Sequence, residues 1–488
     1  MYWLFLLVFF VLLSCYWHIC WKKCRMYQLT AKIPGTVEIP FLGSIHLFLF
    51  DRNLFSVLNK LPRGMRKAWL GPTLFVKFDQ PEDFQVLLNS PNCLDRLFVY
   101  DFVNIKRGIL TTTDVNHWHR VRKAVNQTFS PAVMNQLTPT FNKTGRKLIE
   151  KFDTFSGQGL SNVGNLLKIF AFESMCKSVM LFTEEEYSKF SSSTDVSKFF
   201  DEIHEYFDLV DKRFCAPWVY PDWCYNLTLN GINFNRVLTS LRNSTSKITD
   251  TLKAKKLQRS SAPTYAEKIL SLTQDGQLPP EDFPDHIDTM LVAGVETSGT
   301  IIQEFLLMVA IYQDVQERLH QEIQSVCPLN PEENITQQHL ANMPYLEMVL
   351  KEVLRLFPIT VGTGRFVTDD INLNSCVIPK GANIYLSFFK IHRDPQLWGP
   401  DADQFNPDRF LPEQSFRRHP YAYVPYAAGQ RNCLGIKYAQ AIIKITVVYL
   451  LREFHLRTPL AFDDIRLKLS TTLYIENDPN FIVERRRK

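Results

Sequence analysis

The chain has 488 residues, 45% hydrophobic and 22% charged, an ordinary globular composition. A formal net charge of +5, with no basic run interleaved with aromatics, argues against nucleic-acid binding. Ten cysteines are scattered without any Cys-x-x-Cys pair, which argues against a zinc ribbon or dithiol redox site and for thiols kept reduced.

In chain order, the first element is residues 1–20 (MYWLFLLVFFVLLSCYWHIC), free of acidic, lysine and arginine side chains. As a helix this run covers ~30 Å, about one hydrocarbon core. It lacks the basic start and small-x-small cleavage site of a secretory signal, and Lys22, Lys23 and Arg25 follow it. The pattern predicts a retained signal anchor over residues 1–21, with the rest of the chain cytosolic. Sequons at Asn126, Asn142, Asn226, Asn243 and Asn334 would then stay unmodified. Residues 22–40 form a basic hinge stiffened by Pro34-Gly35 and Pro40. The body, residues 41–488, shows no repeat and no low-complexity tract.

Within the body, the polar stretch Lys253 to Lys268 predicts an internal loop. Asp285 to Tyr312 reads as one long apolar helix, and Glu296, Gln303 and Glu304 inside it favour burial in a helical core over a second membrane span. Val367 to Leu386 holds short β-prone runs broken by Asn374, Pro379 and Gly381, which predicts hairpins. Gly435 to Arg452 reads as a second buried helix with one polar stripe, Lys437, Gln440 and Lys444. The expectation is a mainly α fold with a small β region.

The segment Tyr426 to Gly435 reads YAAGQRNCLG. Each residue type has a physical task if Cys433 binds iron. Thiolate is the ligand form, so the anion must be held. Gly429 and Gly435 allow tight turns that aim amide N–H groups at the sulfur, and the following helix presents its positive end. Arg431 suits a carboxylate of the prosthetic group. A single thiolate ligand adds electron density to iron and favours O–O cleavage.

The spacing Gly429-x-Arg431-x-Cys433-x-Gly435 resembles the haem-binding loop of the cytochrome P-450 superfamily, with Tyr426 where that family usually has phenylalanine. Further segments carry the same resemblance. Glu352 and Arg355 in KEVLRLFP, with Arg409 in FNPDRF, resemble a structural Glu-x-x-Arg…Arg network near the haem. Ala293 to Ser298 (AGVETS) is similar to the oxygen-activation segment, where the Thr297 hydroxyl beside the Glu296 acid suits proton relay to dioxygen. Gly294 weakens its helix by ~1 kcal/mol relative to alanine and predicts a local distortion. Trp118 and Arg122 resemble a propionate-binding pair, and Arg365 matches a further propionate arginine.

The resemblance implies a P-450 fold preceded by one transmembrane helix, and haem b with Cys433 as axial ligand to the iron. The implied activity is insertion of one oxygen atom of O2 into a lipophilic substrate: a fatty acid, a steroid or hormone, or a xenobiotic. Phrases such as MPYLEMVLKEVLRLFP look closest to the animal microsomal branch of fatty-acid hydroxylases and insect relatives. Some members of that branch esterify the haem through a glutamate at the position of Ala293, so noncovalent haem is expected here. No dinucleotide-binding fingerprint lies between a strand and a helix. The resemblance therefore implies electrons from a separate NADPH-dependent flavoprotein reductase, or cytochrome b5, docking on the basic face of Arg122, Lys123, Lys437 and Lys444 at the endoplasmic reticulum membrane. Candidate substrate-pocket segments are Phe98 to Ile109, Phe200 to Phe214, Leu291 to Thr297 and Ile359 to Gly364, which are rich in aromatic and apolar residues.

Overall fold

The computed structural model describes residues 2–50, 53–255, 261–327, 332–470, 472–477 and 479–486. It is mainly helical with small sheets, as the hydrophobic patterning predicts. The long helix runs Phe283–Ile311, with Ile302, Phe305, Leu306 and Leu307 wholly buried. It is long and apolar enough to cross a membrane, but most of it lies inside the fold. Helices Gly164–Ser178, Pro344–Leu356 and Ile436–Glu453 pack against it. In Ile436–Glu453 the run Ile442 to Leu451 is buried except for Lys444, so the predicted polar stripe is the helix's surface.

Gly294 does not break the long helix, which is continuous from Phe283 to Ile311. Its missing side chain serves packing instead, because a Cβ there would stand 2.2 Å from the Met175 Cε on the neighbouring helix. The predicted loop near Lys253 separates helices Leu229–Lys253 and Tyr265–Gln274, and its residues 256–260 lie outside the described set.

The four-stranded sheet has the order Arg66–Leu70, Thr73–Phe78, Asn383–Ser387, Gly362–Phe366. Its central pair is parallel, Phe75 opposite Asn383, while the outer pairs are antiparallel. The parallel pair brings together strands some three hundred residues apart in sequence, a pairing that local pattern does not reveal. The hairpin predicted after Val367 forms from Ile371–Asn372 and Val377–Ile378. Trp69, Val76, Ile384 and Leu386 give this sheet its own buried core, which sets Arg365 of the last strand firmly in place.

At the start of the chain, Tyr2–Lys22 is helical, with Tyr2, Trp3 and Leu12 exposed. Its last turns join the body through rings: Trp21 meets Trp69 edge-on at 4.3 Å, and Trp17 meets Phe41 at 5.3 Å. Arg25 forms an ion pair with Asp370 just beyond. Of the sequons, Asn142 is fully buried: its amide donates to the Thr138 and Ile335 carbonyls, and its oxygen accepts from the Ile335 amide and the Tyr449 hydroxyl.

Candidate haem site

Cys433 lies in the turn that leads into helix Ile436–Glu453. The turn is pinned by the Cys433 amide donating to the Tyr426 carbonyl (2.9 Å) and the Asn432 amide donating to the Gly429 carbonyl (3.2 Å). Gly429 has φ +71°, and a Cβ there would stand 2.0 Å from the Leu88 carbonyl oxygen, so only glycine fits. Gly435 differs from the expectation. Its φ is −90°, with open space where a Cβ would stand, so this backbone does not itself demand glycine.

Cys433 keeps an accessible surface although protein atoms surround it. Burial is still the largest influence on its thiol and pushes it up, while the Gly435 amide and the Arg122 charge pull it back. Both influences favour the anion. Arg122, on helix Val115–Val125, donates to the Asn432 carbonyl (3.0 Å) and side-chain oxygen (2.7 Å). Arg122, for which the resemblance implies a propionate contact, holds the cysteine loop through Asn432. The Tyr426 hydroxyl is buried with no hydrogen-bond partner among the described residues, beside a cleft that Glu347 also lines.

Three arginines converge behind Trp118. Arg431 lies over the Trp118 ring at 4.0 Å and donates from Nε to the Leu94 carbonyl (3.0 Å), but its Nη1 and Nη2 have no hydrogen-bond partner among the described residues. Arg365 donates to the Thr363 hydroxyl (2.6 Å) and the Gly364 carbonyl (2.8 Å). Arg96 donates to the same hydroxyl (3.0 Å) and to the Tyr100 hydroxyl (3.2 Å). All three are buried. Burial and the neighbouring arginines hold Arg431 down at about 8, and they lower Arg365 as well. The charges of Asp95 and Tyr100 oppose this shift, but no ion pair among the described residues joins Asp95 to Arg431. Buried like charges of this kind call for an anionic partner. Arg96 is the residue the sequence reading missed, since it sits in no motif and its partner Thr363 is 267 positions away.

Glu352 and Arg355 form a fully buried bidentate pair, both contacts at 2.7 Å. Arg355 also donates to the carbonyls of His392 (2.8 Å), Ala402 (2.5 Å) and Gln404 (3.0 Å), and Glu352 accepts from the Asn406 amide (2.8 Å). These extra bonds offset the desolvation of the pair. Arg409 reaches Glu352 only at 3.5 Å, without hydrogen-bond geometry, and is held mainly by the Trp398 carbonyl (2.7 Å) and by Asp401.

On the long helix the acid and the alcohol are not paired. The Thr297 hydroxyl donates to the Ala293 carbonyl one turn back (2.7 Å), and Glu296 forms an ion pair with Lys168 (3.1 Å). An apolar pocket takes Ile105, Phe200, Ile203, Tyr206, Leu291, Val292 and Val295 from three of the four expected segments, and none of its lining comes from Ile359 to Gly364.

The Cys433 turn thus combines a thiol near the Arg122 charge with an adjoining cluster of buried arginines, an arrangement suited to an anionic group. Comparison with known proteins settles the family. The cytochrome P450 family profile matches residues 33–481, so the chain belongs to the cytochrome P450 family. It is 26% identical over 481 residues to "Probable cytochrome P450 313a4" of Drosophila melanogaster, covering 96% of each chain. It is 28% identical over 471 residues to "Cytochrome P450 4c21" of Blattella germanica (92% of this chain, 91% of the relative), and 27% identical over 455 residues to "Cytochrome P450 4V2" of Mus musculus (88% and 85%). The protein is a haem-thiolate monooxygenase, an oxidoreductase of the insect and animal branch. The residues present fit the family's haem: the orphaned guanidinium of Arg431, with Arg365 and Arg96, matches the two carboxylates that haem carries.

Proposed function

We propose that the chain inserts one oxygen atom of O2 into a C–H bond of a lipophilic substrate, the other oxygen leaving as water with two protons and two external electrons. The single observation that carries the assignment of the site is the buried, acid-poor arginine cluster adjoining the Cys433 turn. In this reading Cys433 is the iron ligand, its charge held by the Gly435 amide and Arg122. Arg431, Arg365 and Arg96 take the propionates, with Trp118 as backing for Arg431. The Tyr426 ring would contribute an apolar contact to the bound group, and Glu352, Arg355 and Arg409 fix the surrounding loops. Bound haem supplies the redox chemistry, the activation of dioxygen and the transfer of one of its atoms.

Thr297 and Glu296 handle protons. The Thr297 hydroxyl donates its own proton to Ala293, which leaves the oxygen lone pairs open to accept another. Glu296, ion-paired with Lys168, is the neighbouring acid-base group of the relay on the protein side. The expected test is Thr297→Ala in a reconstituted system: NADPH consumption continues while product per NADPH falls about tenfold or more. An unchanged yield of product per NADPH would remove Thr297 from the chemistry, and a wild type that neither consumes NADPH nor forms product would favour a haem carrier.

Electrons come from a separate NADPH-dependent flavoprotein reductase or cytochrome b5. Arg120, Lys123 and Lys437 are exposed on the proposed docking face, whereas Lys444 is neutralised by Glu347 (2.5 Å) and Arg122 is committed to Asn432. Helix Tyr2–Lys22 serves as the transmembrane anchor in the endoplasmic reticulum membrane, residues 22–40 as hinge and residues 41–488 as the cytosolic monooxygenase domain. The contacts of Trp17 with Phe41 and of Trp21 with Trp69 would tie this anchor to the body at the helix end. A second apolar surface supports the same seat. Phe48 and Val57 pack on Cys215, and in the segment that follows it Trp218, Trp223, Leu227, Leu229 and Ile232 stand exposed.

A further inference from the structure

The apolar pocket lies between helices Val196–Phe214 and Leu229–Lys253 and the first half of the long helix. Phe172, Phe199, Phe200, Leu238, Leu291 and Val295 are among its apolar lining. Helical spacing puts residues 288, 291, 292 and 295 on one face, so the wall that carries Leu291, Val292 and Val295 also carries Asp288. The same helix reaches Thr297 nine residues later, a rise of about 13 Å.

Asp288 is anomalous among these neighbours. One carboxylate oxygen, Oδ1, is enclosed and has no hydrogen-bond partner among the described residues. Burial pushes the carboxyl up to about 6, with Asp285 adding to the rise and the Thr245 hydroxyl and Arg242 opposing it. Arg242 does not neutralise it. Its guanidinium sits at the exposed rim, donates to the Asn104 carbonyl (3.0 Å), and makes no ion pair with Asp288 among the described residues. Tyr206, the other polar side chain near this end, already donates to the Val103 carbonyl. An enclosed acceptor in an apolar pocket is costly unless a ligand completes it.

We infer that Asp288 is a specificity-determining residue that accepts a hydrogen bond from the hydroxyl or amine end of a lipophilic substrate, so that the pocket selects against lipids ending in a carboxylate. The inference rests on the monooxygenase reading above and names its substrate class. A hydrocarbon would leave Oδ1 unpaired, and a carboxylate would set two like charges together in a mostly apolar site. An alcohol completes the bond, and a protonated amine adds charge attraction.

The test is calorimetric titration of the haem-loaded enzyme at pH 8 with 1-dodecanol, N,N-dimethyldodecylamine and sodium dodecanoate, for wild type, Asp288→Asn and Asp288→Leu. The wild type is expected to bind the alcohol or the amine at least about tenfold tighter than dodecanoate. Asp288→Leu should lose about tenfold in affinity for that preferred ligand, and Asp288→Asn should bring dodecanoate to within about threefold of the alcohol. Which of alcohol and amine binds tighter identifies the natural headgroup. Dodecanoate binding wild type as tightly as both, or a preference that survives in both variants, overturns the inference. The wild-type order alone decides it if neither variant retains haem. The carbon monoxide difference spectrum of each sample separates this outcome from the underlying one: a thiolate-type band with no selectivity sinks only the role of Asp288, whereas its absence in wild type sinks the monooxygenase reading.

Discussion

Replacing Arg431 by methionine should release haem while leaving the fold in place. The side chain is buried, its Nε is satisfied by Leu94, and its two Nη groups have no protein partner among the described residues. Burial together with Arg96 and Arg365 pulls it to about 8. A guanidinium does not give up its proton in a protein, so it relieves this strain by binding an anion instead. A hydrogen bond to a charged group contributes roughly 1.5–3 kcal/mol, and two freed donors give roughly 3–6 kcal/mol toward a propionate. Removing one of three crowded positive charges returns part of that, leaving a net loss of about 3 kcal/mol, or about 100-fold in haem affinity. Methionine preserves much of the volume and the contact with Trp118. The assay is haem transfer from the holoenzyme to excess apomyoglobin, followed in the Soret band. Arg431→Met should transfer about 100-fold faster than wild type, and Arg431→Lys, which keeps the charge but not the fork, should fall between them. Transfer rates within about threefold of one another would refute the cradle.

Other outcomes follow from the same structure. Glu304 is buried with both carboxylate oxygens unpartnered among the described residues, and burial pushes its carboxyl well above the usual range. The folded state thus holds a proton that the unfolded state releases as pH rises past the ordinary value. Wild type should therefore lose stability with rising pH by up to about 1.4 kcal/mol per pH unit until the folded carboxyl itself ionises. Urea denaturation of Glu304→Gln should show an advantage that grows from pH 5.5 to 7.5, and parallel profiles would contradict the burial argument. Gly429→Ala combines a positive φ with a clash against backbone, so expression without haem is expected, with a stability loss of about 3 kcal/mol or more; normal haem content would count against this reading of the turn. Ala293 has no carboxylate to esterify haem, so acid-acetone extraction should remove all of it. Haem that stays with the protein would contradict noncovalent binding.

Sequence legibility followed the range of the interactions. The helices Phe283–Ile311 and Ile436–Glu453 were readable because continuous burial writes a local pattern of apolar residues. The turn around Cys433 was readable because a positive φ at Gly429 and a stacked arginine two residues before the thiol need particular residue types at fixed spacing. Arg96 was not, because its meaning arises only where the Gly362–Phe366 strand brings Thr363 and Arg365 beside it. Partner choice was equally hidden. Arg122 takes Asn432, and Glu296 takes Lys168 rather than Thr297, choices set by packing of helices distant in sequence. Asp288 was passed over because an acid at a helical position ordinarily faces water, and only the helices above it close that face.

The most direct test of the central claim is the carbon monoxide difference spectrum of the reduced, membrane-expressed protein, recorded beside Cys433→Ser. The account predicts a strongly red-shifted Soret band in wild type that disappears in the variant, as a thiolate ligand requires. A histidine-type band in wild type, or a red-shifted band that persists in Cys433→Ser, would contradict it.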